Sequence, residues 1–373
     1  MSAPVTQRVA VLDVLRGFAL FGILLANIWF FAQLDAVPRT ESWHAVHLAI
    51  LLVVDAKFYT LFAFLFGYGF GLQLTRLESV APLRRRYTAL LVIGLLHGCL
   101  LYDGDVLVSY AITGFLLLTV RRASDARALR LALFGYLLGT GLLLLITGLA
   151  DPDDRADVMT SVQAMNASVG SAIGERTVSY LTEVVAGLVT GYPFIFLSLF
   201  LAGMVAARRK VLETELPAAL LRRVALAGLG IGLPLVLALS WFWSDGELDG
   251  SVPAQATAPL ITAGYVALLL LAWRTGAGRR ALSYLAPMGR LSLTNYLTQS
   301  LICAFLFTAY GFRLGGNVQP TEAMGIACGI FGAQLVLSNL YLRWFRIGPV
   351  EWVLRSITYW RVQPFRRAGV TTG

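Results

Sequence analysis

The sequence has few charged residues and few residues that bind metals or form disulfides. Asp, Glu, Lys and Arg make up 14% of its 373 residues, whereas a soluble globular domain carries about 25%. It has three histidines and three cysteines, and no two cysteines form a CxxC pair. The low charge excludes an ordinary soluble domain. The cysteine spacing gives no sign of a disulfide framework or a zinc site, so we expect no metal.

Apolar residues dominate the chain: they make up 57% of it, and the mean hydropathy is +0.72. They fall into about ten stretches long enough to cross a bilayer as helices. The sequence therefore predicts an all-α, polytopic transmembrane helix bundle that forms a single integral membrane domain over residues 1–373. The predicted helices cover residues 14–33, 57–75, 87–101, 104–120, 129–149, 183–206, 219–242, 257–273, 291–312 and 322–343.

The basic residues lie mostly on one side of these predicted helices. If the connections are numbered alternately, all but five of the 30 Lys and Arg fall on the side of the two termini. Because cytoplasmic loops carry the Lys and Arg excess, we predict a multi-pass membrane protein with both termini cytoplasmic. Arg greatly outnumbers Lys, which is typical of a GC-rich bacterial genome, so the expected location is a bacterial cytoplasmic (inner) membrane. The net charge of +9 then faces lipid headgroups, and no nucleic-acid partner is expected. The five exceptions are Arg39, Lys57, Arg155, Arg176 and Arg313.

Three segments are predicted to lie outside the membrane core. Residues 34–56 and 150–182 form long extracytoplasmic connections, and the first contains an apolar run too short to span. Residues 344–367 mix tryptophan, tyrosine and arginine, a composition typical of an interfacial helix on the cytoplasmic side.

The first predicted helix carries three polar residues, which is costly in a bilayer. Asp13 and Arg16 are one turn apart, and Asn27 lies three turns beyond Arg16 on the same face. Asp13 and Arg16 either form an anchoring ion pair or contact an anionic cytosolic ligand, because arginine suits bidentate phosphate binding. Asn27 is either an interhelical hydrogen-bonding group or a site residue.

A tight turn at residues 102–105 predicts an antiparallel helix hairpin that brings His97 close to Asp105. A histidine oriented by a carboxylate is the general-base arrangement of acyl transfer. Ser109 follows Asp105 at i+4 on the same face. The alternatives are a neutral imidazole bonded to a neighbouring helix and a carboxylate that caps a helix.

Two further polar groups are candidates for ligand binding. Asn295 and Gln299 share one stripe of their helix, where they either join helices or line a polar site. Lys57 and Tyr59 begin their helix at the outer surface. The glycines of that helix allow a close approach of another helix or of a ligand: Gly67, Gly69 and Gly71.

Several motifs together resemble the YeiB-like family of bacterial membrane proteins, which has a domain of unknown function. The likeness covers nearly the whole chain and keeps the order of the motifs. The motifs are Leu-Asp-Val-Leu-Arg-Gly at 12–17 followed by Asn27, Lys-Phe-Tyr-Thr-Leu-Phe at 57–62, Leu-Phe-Gly at 65–67, Gly-Leu-Leu-His at 94–97 with Gly-Asp at 104–105, the segment 289–300, and Gly-Pro-Val-Glu-Trp at 348–352 with Arg355.

This family is distantly similar to a transmembrane acyltransferase clan that includes heparan-α-glucosaminide N-acetyltransferase. The resemblance implies an acyl-CoA donor, of which acetyl-CoA is one candidate, and a site asparagine at Asn27. The catalytic histidine of that enzyme follows the asparagine shortly, whereas here His44 and His47 stand at a longer spacing. His97 is the preferred histidine because it lies within a YeiB-like motif.

Our leading hypothesis is therefore a membrane-embedded acyltransferase. It would move an acyl group from cytosolic acyl-CoA to a small-molecule, lipid-linked or extracytoplasmic acceptor. His97, Asp105 and Asn27 are the expected catalytic residues. The expected binding residues are Asp13, Arg16, Lys57, Tyr59, Ser109, Asn295 and Gln299. The alternatives are a transporter or flippase and a non-catalytic membrane scaffold. Membrane lipids are expected partners, and the sequence does not decide between a monomer and a homodimer.

Overall fold

The computed structural model describes residues 5–75, 77–149, 155–243 and 251–366. These residues form helices with no β-strand among them, which confirms the all-α prediction. The helices are α1 (Val5–Phe31), α2 (Glu41–Val53), α3 (Lys57–Leu74), α4 (Ala81–Leu100), α5 (Leu107–Val120), α6 (Asp125–Leu149), α7 (Arg155–Ala167), α8 (Val169–Val189), α9 (Tyr192–Arg208), α10 (Ala218–Gly230), α11 (Gly232–Trp243), α12 (Ser251–Arg274), α13 (Gly276–Ser283), α14 (Ala286–Arg290), α15 (Ser292–Phe307), α16 (Pro320–Trp344) and α17 (Pro349–Tyr359).

Within the described residues, six helical stretches are long and apolar enough to cross a membrane, and a bent pair makes a seventh. Leu133, Phe134 and Leu137 on α6 are each about two-thirds exposed, which suits contact with lipid rather than water. The chain is thus a multi-pass membrane protein, while the predicted number of ten spans is not confirmed. The six stretches are 10–31, 41–74, 125–147, 218–242, 252–274 and 320–344.

The predicted continuous helix at 183–206 is wrong, because the chain breaks between α8 and α9. Gly191 has a φ of 95°, a left-handed conformation that favours glycine. A Cβ atom there would lie 2.3 Å from the backbone oxygen of Gly139, so α6 also requires glycine at this position. The two helices meet at 70°. The predicted helix at 219–242 is interrupted at Ile231, between α10 and α11, but the two helices together form one of the six membrane-capable stretches, 218–242.

The connections contain helices of their own. Residues 34–56 hold α2, which begins where the Thr40 hydroxyl accepts a hydrogen bond from the Trp43 amide. α7 and the first part of α8 occupy 155–182, while 150–154 lie outside the described residues. The predicted interfacial segment 344–367 contains α17, which packs against α4 through a hydrogen bond from Arg85 Nε to the Thr358 oxygen (3.0 Å).

Glycines set the closest helix contacts in the bundle. A Cβ atom on Gly67 of α3 would lie 2.2 Å from the Phe200 oxygen of α9, and one on Gly203 of α9 would lie 2.1 Å from the Phe64 oxygen. The backbones of α3 and α9 therefore touch, as expected for small residues between membrane helices. Gly69 faces the other way, where its Cβ position is 3.3 Å from an Arg16 guanidinium nitrogen.

Candidate active site

His97 and Asp105 form a buried pair across the turn between α4 and α5. His97 Nδ1 lies 2.8 Å from Asp105 Oδ1, and the two residues are 2% and 7% exposed. The turn forms because α4 ends at Leu100 and α5 begins at Leu107, which returns the chain antiparallel within six residues. The predicted proximity of these two side chains is therefore confirmed.

The carboxylate of Asp105 accepts hydrogen bonds from further groups besides His97. Oδ1 also accepts a hydrogen bond from the Tyr296 hydroxyl of α15 (3.2 Å). Oδ2 accepts the Leu107 amide (2.9 Å) and lies 3.4 Å from the Val108 amide, so the same residue caps α5. Capping and histidine binding are thus both present, and the two interpretations of Asp105 do not compete.

Aromatic rings enclose the pair. The Tyr296 ring lies 4.9 Å from the His97 ring, and the Tyr102 ring lies 6.4 Å from it. The hydroxyl of Tyr180 on α8 is within 3.3 Å of both Asp105 Oδ2 and the Gly94 oxygen. Water is therefore largely excluded from the carboxylate.

Glycines on α4 make room for the Tyr180 ring. A Cβ atom on Gly98 would lie 2.2 Å from ring carbons of Tyr180. One on Gly94 would lie 2.8 Å from the Val108 nitrogen of α5. The Gly-Leu-Leu-His-Gly segment at 94–98 is thus required by the packing of α5 and α8 around the histidine.

The chemistry of the pair follows from its hydrogen bonds. An ionised carboxylate only accepts, so Nδ1 of His97 carries the proton that it donates to Asp105. The other ring nitrogen, Nε2, is then a lone-pair acceptor, and it is buried with no hydrogen-bond partner among the described residues. A buried acceptor without a partner is costly and needs an explanation, and a catalytic role is one such explanation. This arrangement suits a general base or a nucleophile.

A cavity of about 830 Å³ lies beside the pair. Asp105, Tyr102 and Tyr180 line it, so the residues that hold the imidazole also face the open space. His97 is not among the described residues that line the cavity and sits behind its wall. The volume is in the range of small-molecule binding sites.

The cavity has an acidic lining. The described residues around it carry five carboxyl groups and one guanidinium, that of Arg176. Arg176 is 2% exposed and donates a hydrogen bond to the Leu100 oxygen (3.0 Å) at the end of α4. The carboxyl groups belong to Asp35, Asp55, Asp103, Asp105 and Glu183.

Three more of the predicted site residues line this cavity: Asn27, Tyr59 and Ser109. Lys57 is the first residue of α3, directly after the connection from α2, and it is fully buried. Its ammonium donates to the Leu51 oxygen (2.5 Å), and the left-handed residue Ala56 (φ 63°) makes the bend that permits this bond. Lys57 is therefore bonded to the backbone of α2 and does not face the cavity.

Asn295 and Gln299 belong to a different polar cluster, between α15 and α16. The Asn295 amide donates to the Ser338 hydroxyl (3.1 Å), and the Gln299 amide donates to Gln334 Oε1 (2.8 Å). Both side chains are buried and neither lines the cavity. Their geometry is that of helix-joining groups.

Asp13 and Arg16 are paired at the opposite end of α1. An Arg16 nitrogen lies 3.3 Å from Asp13 Oδ1, with the arginine side chain 30% exposed. Eleven residues separate Arg16 from Asn27, which is about 16 Å along the helix axis. The ion pair and the cavity thus occupy two distinct levels of the bundle.

The other two histidines lie apart from the cavity. The His47 ring stacks on Trp43 (4.7 Å, 19°), and the exposed His44 packs edge-on against the same indole (5.2 Å). Neither is among the described residues that line the cavity. His97, by contrast, is paired with a carboxylate that lines the cavity, that of Asp105.

Comparison with known proteins identifies the family. A model described as "Protein of unknown function (DUF418)" matches residues 206–361. The chain is 31% identical to the "Uncharacterized protein YxaH" of Bacillus subtilis (strain 168), over 97% of this chain and 96% of that protein. It is also 31% identical to the "Uncharacterized protein YeiB" of Escherichia coli (strain K12), over 94% and 96%.

The chain belongs to the YeiB-like DUF418 family. A third relative, an "Uncharacterized 39.9 kDa protein in amylase 3'region" of Bacillus acidopullulyticus, is 31% identical over 96% of each chain. No solved structure matches the chain significantly. The matched family segment contains α15 and α17, while the histidine pair lies outside it.

Sequence reasoning missed several residues of this site. Tyr180 and Tyr296 reach Asp105 from helices 75 and 191 residues further along the chain. The sequence pattern marked Arg176 only as one of the five basic residues on the side opposite the termini. Since these contacts join distant helices, a helical period within one segment carries no signal for them. The short spacing between His97 and Asp105 did carry one.

Proposed function

We propose that this YeiB-like protein is a membrane-embedded acyltransferase that uses a cytosolic acyl-CoA as donor. The observation that supports this most is the buried His97–Asp105 pair beside the cavity, in which Nε2 of the imidazole has no hydrogen-bond partner in the part of the chain that the structure describes. A buried carboxylate that fixes the tautomer of a histidine leaves Nε2 free to take a proton.

In the proposed reaction, a hydroxyl or amine of the acceptor attacks the carbonyl carbon of the acyl thioester. The acceptor proton passes to Nε2 of His97, the new bond to the acyl carbon forms, and the carbon–sulfur bond breaks. The proton then passes to the departing thiolate, so the histidine returns to its starting state. Access to Nε2 requires a movement of the cavity wall, since His97 lies behind Asp105 and Tyr102.

The cavity supplies candidate groups for the developing oxyanion. Asn27 lines it from α1, and the amide of its side chain donates no hydrogen bond to another described residue. Arg176, from α8, also lines it. A well-placed donor of this kind contributes about 3–4 kcal/mol to the stabilisation of a transition state. The acidic lining favours an acceptor that carries an amine over an anionic one.

Asn295 and Gln299 are proposed to act through α15 rather than on the substrate. Their bonds to α16 fix the helix that presents Tyr296 to Asp105. Lys57 would act similarly, by fixing the bend that leads to Tyr59. These residues are positioning residues in this proposal.

The test is acyl transfer by the purified protein in nanodiscs. Acetyl, propionyl and longer acyl-CoA thioesters would be supplied with a panel of sugar, amine and lipid acceptors, and free thiol and acylated acceptor would be measured. We expect His97→Gln to lower the rate by about 10²–10⁴-fold. His44→Gln is the matched control, because that histidine is exposed and remote from the cavity, and it should leave the rate unchanged. Transfer that is equal in all three proteins would overturn the proposal.

One observation favours the second candidate, a transporter or flippase. α8 and α9 form a broken pair at 70° whose junction, at Thr190 and Tyr192, lines the cavity. Interrupted helices at a binding site are typical of transporters. Substrate counterflow in proteoliposomes that persists in His97→Gln, together with an absence of acyl transfer, would favour this function instead.

A further inference from the structure

Three arginines from three different helices meet at the end of the bundle opposite the cavity. Arg16 of α1 lies across Gly69 of α3, where the Cβ position of that glycine is 3.3 Å from its guanidinium. Arg86 of α4 lies 6.0 Å from the ring of Phe66, one turn before Gly69 on α3. Arg355 lies on α17, which packs on α4 next to Arg86, where Arg85 Nε donates to the Thr358 oxygen (3.0 Å), and Arg86 feels the positive charges of both Arg16 and Arg355. We call Arg16, Arg86 and Arg355 the arginine cluster.

The cluster has little neutralising charge from the protein. Asp13 pairs with Arg16 and also feels the charge of Arg290. Among the described residues, neither Arg86 nor Arg355 forms an ion pair or donates a side-chain hydrogen bond. One carboxylate thus faces several guanidinium groups.

Glu351 is the carboxylate that would be expected to pair with Arg355, since the two are one helical turn apart on α17. Its oxygens are used elsewhere. They accept the Leu293 amide (2.7 Å), the Thr294 amide (3.0 Å) and the Thr294 hydroxyl (2.5 Å) at the start of α15. Glu351 therefore caps the start of α15, and the Arg355 guanidinium has no hydrogen-bond or ion-pair partner among the described residues.

Like charges held together without counter-charges destabilise a fold unless an anion joins them. Guanidinium groups bind phosphate oxygens bidentately and desolvate more readily than an ammonium group, so they suit a partly buried phosphate site. Arg86 is partly buried and Arg16 is 30% exposed, so the cluster is reachable by a ligand.

We propose that the arginine cluster is a phosphate-binding site. It deepens the proposed function, on which it rests only for the identity of the ligand: a phosphate group of the acyl donor. The same chemistry would also hold the phosphate of an anionic lipid. Arg16 is already a predicted ligand residue. The site adds Arg86 of α4 and Arg355 of α17 to it.

The experiment measures binding without any thioester or acceptor. The full-length protein in phosphatidylcholine nanodiscs would be titrated with adenosine 3′,5′-bisphosphate by calorimetry. A second set of nanodiscs would contain phosphatidylglycerol, and thermal unfolding would be followed in both. We expect Arg86→Gln to weaken the binding of the soluble probe by about 10- to 100-fold. The affinity of Arg86→Lys, which keeps the charge but not the bidentate geometry, should lie between those of the wild type and Arg86→Gln.

The matched control is Arg84→Gln, an exposed arginine half a turn away on α4 that makes the same change in charge. It should leave binding within a factor of about two of the wild type, because an exposed charge is screened by salt. Without ligand, Arg86→Gln should unfold at the same temperature as the wild type or higher, because it removes repulsion. A lower unfolding temperature together with unchanged binding would show a purely structural arginine and overturn the site.

The remaining outcomes identify the ligand or reject the site. Binding of the soluble probe that depends on Arg86 supports a soluble phosphate ligand. No binding of that probe, with phosphatidylglycerol raising the unfolding temperature of the wild type but not of Arg86→Gln, supports a lipid phosphate. No response to either overturns the proposal. Acyl transfer that persists without phosphate binding would reject this site alone, and binding without transfer would reject the proposed enzyme alone.

Discussion

Asp105→Asn separates the catalytic from the structural contribution of the buried pair. The best rotamer of the new amide keeps its oxygen on the Leu107 amide, because asparagine caps helices as well as aspartate does. Its NH₂ group then faces His97 Nδ1, which must become an acceptor. The ring proton moves to Nε2, so the nitrogen that would accept the substrate proton is blocked.

The size of each effect follows from the contacts. The bond from His97 (2.8 Å) changes from a charge-assisted bond to a neutral one, and the Tyr296 hydroxyl must reorient to accept from the amide. Charge-assisted bonds contribute about 1.5–3 kcal/mol and neutral ones about 1. We therefore expect a loss of about 0.5–2 kcal/mol in the free energy of unfolding. The wrong tautomer should lower acyl transfer by about 10²–10⁴-fold.

The assay is acyl transfer and thermal unfolding on the same nanodisc preparation. Asp125→Asn is the control, because it removes a carboxylate that pairs with Arg209 (3.0 Å) far from the cavity. It should change neither activity nor stability appreciably. If Asp105→Asn keeps wild-type activity while it lowers stability, the carboxylate acts only as a cap and the reasoning about the tautomer is refuted.

Three further predictions concern packing, docking and pH. Gly67→Ala should lower the free energy of unfolding by about 1–3 kcal/mol in a thermal unfolding assay, because its methyl group would lie 2.2 Å from the Phe200 oxygen. Gly329→Ala is the control, since its Cβ position has open space around it, and it should show no such loss. Glu351→Gln should loosen the docking of α17 on α15 by about 1–3 kcal/mol, visible as faster proteolysis of the last helix, and an unchanged cleavage rate would contradict this. Burial raises the pKa of the Asp103 carboxyl above its usual 3.8 in the folded state, so folding favours the protonated form. The stability that the protonated carboxyl contributes is lost as the pH rises through the raised value. Asp103→Asn should therefore gain unfolding temperature over the wild type toward neutral pH, and a gain that grows toward acidic pH instead would show the opposite shift.

The sequence predicted those parts of the fold that depend on local patterns. The apolar runs gave α1, α3, α6 and α16 nearly at their observed positions, because a bilayer requires long apolar helices. The pairing of His97 with Asp105 was predictable because eight residues and a tight turn join them. The close approach of α3 to another helix was predictable from the spacing of Gly67 and Gly71.

The parts that could not be predicted depend on contacts between distant helices. The break at Gly191 arises where α6 leaves no room for a side chain, and no local period signals that contact. Asn295 and Gln299 could equally line a site or join helices, and only the position of α16 places them against Ser338 and Gln334. That Arg355 lacks a partner among the described residues could not be predicted for the same reason, since it depends on the bonds of Glu351 to α15.

The tyrosine contacts to Asp105 have a consequence for biogenesis. The hairpin of α4 and α5 can insert as soon as both helices leave the ribosome, and its histidine–carboxylate bond needs no later segment. Tyr180 and Tyr296 arrive only after α8 and α15 have been synthesised. A nascent chain thus carries the pair before its aromatic enclosure is complete, and the imidazole of His97 is enclosed only once α15 has been added.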